Sequence, residues 1–319
     1  MTNSAAAAAA PSAEFRAAGT DLSERRRSGV SRGPLIDLVR PTHAPHIVWN
    51  ENGAARISAF ATIAKLAADE KLAAAYPGLT TAAAGLATPQ IRHVATLGGN
   101  LAQRSRCWYF RDPHIPCLKK GGEVCPARDG NHLYGVAFDL GPCVAPHPST
   151  MAAALMAYDA TVTTDQRRHL GITALLGDGS NGYADNLLVP GEMIQSLDLG
   201  VPAAGERALY RRAISRSYAE WPLVEIVVRA VITEGTFKLA RVTAGGIAPV
   251  PLRLDGTESV LEGATANAAT IEKAVAQSTA GAKPLAMTGY KLDLLRGLLR
   301  DLLERIAGLG GTRTSESEL

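Results

Sequence analysis

All four cysteines of this 319-residue chain fall between Cys107 and Cys143, directly after a "TLGGN" stretch at Thr96–Asn100. Nine, seven and seventeen residues separate Cys107, Cys117, Cys125 and Cys143 in turn. Free Cys is among the most buried residue types, so unrelated core thiols would be scattered along the chain rather than gathered in one window. Gathered thiols have three common uses: disulfides, a zinc site or an iron–sulfur cluster. Disulfides staple small scaffolds that cannot build a core, which a chain of this length does not need. Structural zinc favours close pairs such as C-x2-C, because one knuckle then fixes half the tetrahedron, and no such pair occurs here. A [4Fe–4S] cubane accepts thiolates converging from a loop that wraps it, so long gaps are tolerated. Arg104, Arg106, Arg111, Lys119, Lys120 and Arg128 surround the thiols, and cationic neighbours favour thiolates. Four prolines (113, 116, 126, 142) and Gly121, Gly122 and Gly141 predict a stiffly bent loop. The spacing favours the cluster, with Cys107, Cys117, Cys125 and Cys143 as its ligands. A zinc-stabilised scaffold without catalytic function is the alternative.

Composition narrows the remaining classes. Hydrophobic residues make up 46% and charged residues 20%, a globular balance, and no apolar run reaches the roughly 18 residues of a membrane span. The formal charge of +3 is small and only "ERRRSGVSR" (24–32) concentrates it, so no nucleic-acid partner is expected. The alanine-rich start lacks the basic and Leu/Val-rich regions of a secretory signal and reads as a short helix or loose arm. The chain is expected in the cytoplasm, or in the periplasm if a signal-bearing partner carries it there.

Along the chain the expectation is α+β. Short strands in 14–22 and 33–41 frame a Gly-containing turn, and a hairpin turn at Asn50–Gly53 precedes a helix with Ile63, Leu66 and Ala67 on one face. "STMAAALMAYDATVTT" reads as a helix capped by Ser149 or Thr150, then a strand. Beyond about residue 205 come strands with turns at Glu234–Gly235 and Gly245–Gly246, an antiparallel meander. A terminal amphipathic helix follows, carrying Leu292, Leu295, Leu299, Leu302, Leu303 and Ile306, with Gly308 as its C-cap. The division is 1–204, with a short lobe 14–40 and a larger lobe 41–204, then 205–310, with 311–319 a disordered tail.

Two small-residue turns, "AAGTDL" (17–22) and "TLGGN" (96–100), are candidates for an anion cradle of backbone N–H groups. Neither is a Rossmann or P-loop fingerprint, and singly each reads as an ordinary strand-end turn. In order, "AAGTDL", "TPQIRHVATLGGNLAQ", the cysteine window ending "CVAPHPST", "LVPGEMIQSLDL" and "YRRAISRSYAEWPLV" resemble the FAD-binding medium subunit of the xanthine dehydrogenase (molybdenum hydroxylase) family. The branch resembled carries an extra [4Fe–4S] cluster, and the likeness runs from about residue 14 to 306. It implies an FAD-binding fold of the vanillyl-alcohol-oxidase type with a C-terminal sheet-and-helix domain like that of CO dehydrogenase flavoproteins.

The resemblance further implies that Ala18, Gly19, Thr20, Asp21 and Leu22, with Thr96, Gly98, Gly99 and Asn100, hold the FAD pyrophosphate. Ser149, Ile194 and Arg212 match further flavin positions. An acid often follows "HPS" in the family, and Thr150 stands there instead; the family's opening strand and helix are replaced by "MTNSAAAAAAPSA". Tyr218 and Trp221 are candidates to border the ring, with core packing as the simpler use. His114, His132 and His147 read as hydrogen-bonding loop residues rather than ligands.

The implied function is that of an electron-transfer subunit. A large molybdopterin-binding partner oxidises an aldehyde or heteroaromatic substrate, a small [2Fe–2S] partner passes electrons on, and this chain takes them at FAD and delivers them to an acceptor. The protein's part in such chemistry is positioning and tuning the cofactor, so no catalytic base is expected here. A self-sufficient flavin oxidase is the third possibility, and the sequence offers no base for it.

Overall fold

The structure, a computed structural model, describes residues 13–40 and 44–309. The expected alanine-rich arm and C-terminal tail lie outside the described residues. The N-terminal lobe is a parallel pair, β1 (Glu14–Arg16) and β2 (Leu35–Asp37), bridged by α1 (Leu22–Arg27). The helix was not expected from the sequence, since "LSERRR" offers a single apolar residue; ion pairs described below hold it in place.

A five-stranded antiparallel sheet follows, in the order β3 (Ile47–Trp49), β4 (Ala55–Ser58), β7 (Ile194–Leu199), β5 (Thr161–Thr164) and β6 (Leu170–Gly171). Between β4 and β5 the chain forms α2 (Ile63–Ala68), α3 (Glu70–Ala75), α4 (Pro77–Ala84), α5 (Pro89–Val94), α6 (Leu97–Leu101), α7 (Trp108–Arg111) and α8 (Thr150–Ala157). The single helix expected after β4 is three. Asp69 turns extended and caps α3 by accepting from Leu72 N at 2.8 Å, and Pro77 begins α4 afresh. Ser149 caps α8, its hydroxyl accepting from Ala152 N at 3.0 Å.

Helix α8 is apolar all round and all of its residues are buried, the pattern of a helix packed on every side. It touches α4, β9 (Val224–Thr233) and β10 (Thr236–Gly245), so its N-terminus lies where the first layer meets the second sheet. After β7 and α9 (Ile172–Leu176), which precedes it in sequence, the chain enters that sheet. Its order is β11 (Leu252–Arg253), β10, β9, β8 (Arg207–Ala213), antiparallel throughout. Glu234 and Gly235 both take positive φ, 50° and 68°, which makes the tight β9–β10 turn anticipated from the sequence.

Three helices cover one side: α10 (Asp255–Leu261), α11 (Ala268–Gln277) and α12 (Tyr290–Ala307). Leu295, Leu299, Leu302, Leu303 and Ile306 of α12 are all buried in the second core with Ile226, Val228 and Phe237. Each such side chain contributes about 1.5–3 kcal/mol on burial, which makes α12 the main clamp on this sheet. Gly308 at φ 70° ends it. Arg229 joins the two layers: it pairs with Glu206, stacks over Tyr158 at 4.3 Å and donates to the Ala157 carbonyl at the end of α8. Among the described residues no helix is long and apolar enough to cross a membrane.

Candidate functional site

The "AAGTDL" turn carries the chain from β1 into α1. Gly19 sits at φ 72°, and a Cβ there would come within 2.9 Å of Ser23 Oγ, so the turn requires glycine. Among the described residues, the N–H groups of Ala18, Gly19, Thr20, Asp21 and Leu22 meet no protein acceptor. Thr20 and Asp21 face a groove; Ala18 is exposed beside it, whereas Leu22 points into the core.

The "TLGGN" segment behaves differently from an open cradle. It is the first turn of α6, capped by Thr96, and its N–H groups are occupied. Gly98 N donates to Ala59 O at 2.9 Å, Gly99 N to Thr96 Oγ1 at 3.1 Å and Asn100 N to Thr96 O at 2.9 Å. The expected amide cradle is therefore at 18–22 alone, because helix formation uses the other set. The two glycines serve closeness instead. A Cβ on Gly98 would lie 2.8 Å from Ala59 Cβ, while one on Gly99 would meet only Thr96 Oγ1, at 3.0 Å, and otherwise project into open space.

That open space is a groove of two cavities, about 170 and about 100 Å³, meeting at Gly99. The larger holds Thr20, Asp21, Thr88, Asn100, Thr150, Arg212 and Trp221 on its walls. The smaller is lined by Phe15, Phe60, Thr96, Gly98 and Ile194. Ile194 and Arg212 thus line different cavities rather than one. Trp221 and Tyr218 are exposed, so neither is a core residue; Trp221 borders the groove, with Arg106 stacked 4.3 Å above its ring.

Asn100 is fixed by Ser149, whose hydroxyl donates to Asn100 Oδ1 at 2.6 Å while capping α8. Thr150, in the position where an acid was expected, lies beside an acid from the second sheet. Glu225 of β9 is fully buried, accepts from Tyr210 Oη at 2.9 Å and has the Thr150 hydroxyl beside it. Burial raises its carboxyl to about 7, against the opposing pull of those two hydroxyls and of Arg212. Sequence reasoning missed this residue, although one Glu in the apolar run "PLVEIVV" was a visible signal.

Asp21 does not offer its carboxylate to the groove. It pairs with Arg25 at 2.9 Å, Arg106 at 3.1 Å and Arg111 at 2.7 Å, and accepts from Arg104 N at 3.2 Å. Burial pushes the carboxyl up, but Arg106, Arg111 and Arg25 together hold it below its ordinary range. Glu24 takes Arg106 and Arg111 as well. These arginines, expected to bathe the thiols, instead bind the start of the cysteine window to α1.

The cations whose charge favours the thiolates are Arg128, acting on Cys125, and Lys119, acting on Cys143. Lys119 is anchored by Asp185 at 2.9 Å; burial raises the Asp185 carboxyl, and Lys119 and Arg104 bring it down to about 2. All four cysteines are free thiols, so the disulfide use is not made. Cys107, Cys125 and Cys143 pack around Leu118, next to Cys117 in sequence. Cys125 and Cys143 act on each other as a pair: the Cys143 thiol and the N–H groups of Val144 and Ala127 hold Cys125 below its ordinary value, Cys143 is pushed up by Cys125 and by burial, and burial raises Cys107. Among the described residues, no three His, Cys, Asp or Glu side chains are gathered tightly enough for a single metal ion. His132 holds Ala127 O at 3.0 Å, His114 N donates to Asp112, and His147 is buried, accepting from Ser149 N through Nδ1 at 3.3 Å.

Two family models match the chain: the FAD binding domain in molybdopterin dehydrogenase over residues 2–202, and the CO dehydrogenase flavoprotein C-terminal domain over 209–306. The aldehyde oxidoreductase FAD-binding subunit PaoB of Escherichia coli is 31% identical over 301 residues, covering 92% of this chain and 91% of PaoB. The fold is that of a carbon monoxide dehydrogenase chain from Hydrogenophaga pseudoflava, with a TM-score of 0.71 at 20% identity over 94% of this chain and 91% of that one. It is equally that of a quinoline 2-oxidoreductase chain from Pseudomonas putida 86, with a TM-score of 0.71 at 17% identity over 93% and 90%. Free amides at one turn, a groove floored by bare glycine and a sheet-and-helix C-terminal unit agree with these matches, and the chain belongs to the FAD-binding medium subunits of the xanthine dehydrogenase (molybdenum hydroxylase) family.

Proposed function

We propose that this chain is the FAD- and [4Fe–4S]-containing electron-transfer subunit of a molybdenum hydroxylase that oxidises aldehydes or heteroaromatic compounds. Its partners are a large molybdopterin-binding subunit and a small [2Fe–2S] subunit, from which electrons reach FAD and then an acceptor. The name of its E. coli relative supports the aldehyde side of that pair. The assembly works in the cytoplasm, or in the periplasm where a signal-bearing partner delivers it. The division into 1–204 and 205–310 is supported by family matches that stop and restart on either side of it.

The observation that carries the FAD part is the groove. Free N–H groups of Ala18–Leu22 suit the pyrophosphate, and the exposed Cα of Gly99 allows its close approach. The smaller cavity, walled by Phe15, Phe60 and Ile194, suits the adenine; the larger, with Asn100, Thr150, Arg212 and Trp221, suits the flavin ring. Ser149 acts by orienting Asn100. Bound FAD supplies two-electron redox chemistry; the chain's own groups bind it, hold its ring against Arg212 and shield it from water.

The cluster part rests on the four free thiols of one loop, three of them packed about Leu118. A lone zinc ion requires its sulfurs within about 4 Å of one another. Thiols that converge on one region without closing on one point suit the larger core of a cubane. Anaerobic purification followed by flavin, iron and zinc analysis is the test. The expected result is one FAD and about four irons per chain, with a flavin band at about 450 nm over a broad brown shoulder. Cys107→Ser and Cys143→Ser should lose the iron and keep the flavin. A colourless chain holding one zinc ion refutes the proposal.

A further inference from the structure

A cavity of about 350 Å³ lies beside the groove proposed for FAD, within the usual range of small-molecule sites, and that proposed path leaves it free. The two spaces share Arg106, Pro148 and Trp221 as walls. On the far side it is bounded by the start of the cysteine window. Its rim is aromatic: Trp108 and Tyr134 lie ring to ring at 5.6 Å, and both they and Trp221 are partly open to solvent.

Its interior walls hold two buried ionisable side chains, Lys291 of α12 at 1% exposure and Glu225 of β9 at 2%. Lys291 Nζ donates to Tyr134 O at 3.2 Å and Gly246 O at 2.7 Å. An ammonium has three donors, so one is left over, and among the described residues no carboxylate pairs with it. Burial alone brings Lys291 down to about 7, and burial raises Glu225 to about 7, each shifted toward its uncharged form. The groups facing Glu225 are Tyr210 and Arg212 from β8 and Thr150 from α8. Arg106, Cys107, Glu220, His132 and His147 are the other charged or titratable side chains on this cavity besides its tyrosines; His147 Nε2 is buried without a partner, and burial brings that imidazole down to about 4. Burying an unpaired lysine and a carboxyl where leucine or methionine would fit is costly, and packing gives no reason for it.

We propose that this cavity binds a planar electron acceptor of the quinone class, its ring against Trp108 and Tyr134 and one carbonyl oxygen accepting a hydrogen bond from Lys291 Nζ. The quinone takes two electrons from the reduced flavin, one proton from the Lys291 ammonium and one from the Glu225 carboxyl. The products are hydroquinone, oxidised flavin, a neutral amine and a carboxylate; the latter two recover their protons from solvent, to which the flavin's own protons are released. The electron step rests on the FAD reading, whereas the binding step does not.

The test is calorimetric titration of the full chain with duroquinone, whose fully methylated ring resists addition by the cysteine thiols. Saturable binding at one site is expected, weakened at least about tenfold by Lys291→Met and by Tyr134→Leu, the latter a rim change that spares the core. In Glu225→Gln the dithionite-reduced flavin should be reoxidised by saturating duroquinone at least about tenfold more slowly at pH 7. Absence of saturable binding, equal affinity in the Lys291 and Tyr134 variants, or an unchanged reoxidation rate in Glu225→Gln overturns the proposal. A chain that takes up no added FAD yet binds duroquinone through Lys291 refutes the FAD reading and leaves the binding site standing; a flavin-loaded chain that ignores duroquinone does the reverse.

Discussion

Adjacent glycines at the head of α6 make opposite predictions. In Gly98→Ala the new methyl lies 2.8 Å from Ala59 Cβ and 3.3 Å from Ala59 O, both on a backbone that cannot turn aside. Overpacking of this kind costs about 1–3 kcal/mol, offset in part by the better helix propensity of alanine, about 1 kcal/mol. A net loss of about 1 kcal/mol lowers the Tm of a domain this size by about 2–4 °C. In Gly99→Ala the methyl meets only the Thr96 hydroxyl, at 3.0 Å, and stands in the groove. Stability should hold or rise slightly, while FAD affinity should fall at least about tenfold, or about 1.4 kcal/mol. Thermal melts of the FAD-free proteins and FAD titration by flavin fluorescence separate the two effects. Melting unchanged in Gly98→Ala, together with FAD affinity unchanged in Gly99→Ala, would show that the groove at α6 is not where the cofactor runs.

Three further substitutions probe the surroundings. Glu225 has a raised folded-state carboxyl, so the stability it contributes is complete below its unfolded value near 4.5 and is lost as pH rises through about 7. Unfolding free energies from urea titrations of the parent should therefore fall from about pH 4.5 to about pH 7.5, by up to about 3 kcal/mol in total, and those of Glu225→Gln should stay level. Asp185→Asn leaves Lys119 buried without a counter-charge and should cost about 3–5 kcal/mol by denaturant unfolding, together with lower iron retention in the neighbouring loop. Ser149→Ala removes both the α8 cap and the bond to Asn100; a stability loss of about 0.5–2 kcal/mol accompanied by weaker FAD binding is expected, and a loss of stability alone would limit Ser149 to capping.

Much of this was legible in the residues. The Ser149 cap, the Glu234–Gly235 hairpin and the leucine stripe of α12 each follow from local chemistry, and each stands where the pattern put it, whereas the cysteine window, read as a bent loop, also holds the short helix α7. The shortfalls share a cause, which is partnership across long sequence separations. Helix α1 has almost no apolar face, and its charges make sense only once Asp21 and Glu24 meet Arg106 and Arg111, more than eighty residues on. The same pairing drew those arginines away from the thiols. Segment "TLGGN" has the composition of an open turn, yet Thr96 caps it into a helix and closes its amides. Glu225 and Asp185 are single acids whose roles depend on Thr150 and Lys119, partners that no local pattern reveals.

The most direct measurement is anomalous diffraction at the iron edge from crystals of the anaerobically prepared chain. The account predicts one compact iron peak enclosed by the sulfurs of Cys107, Cys117, Cys125 and Cys143, and FAD density passing Gly99 with its pyrophosphate on the Ala18–Leu22 amides. An iron-free loop, or a flavin bound away from that turn, would contradict it.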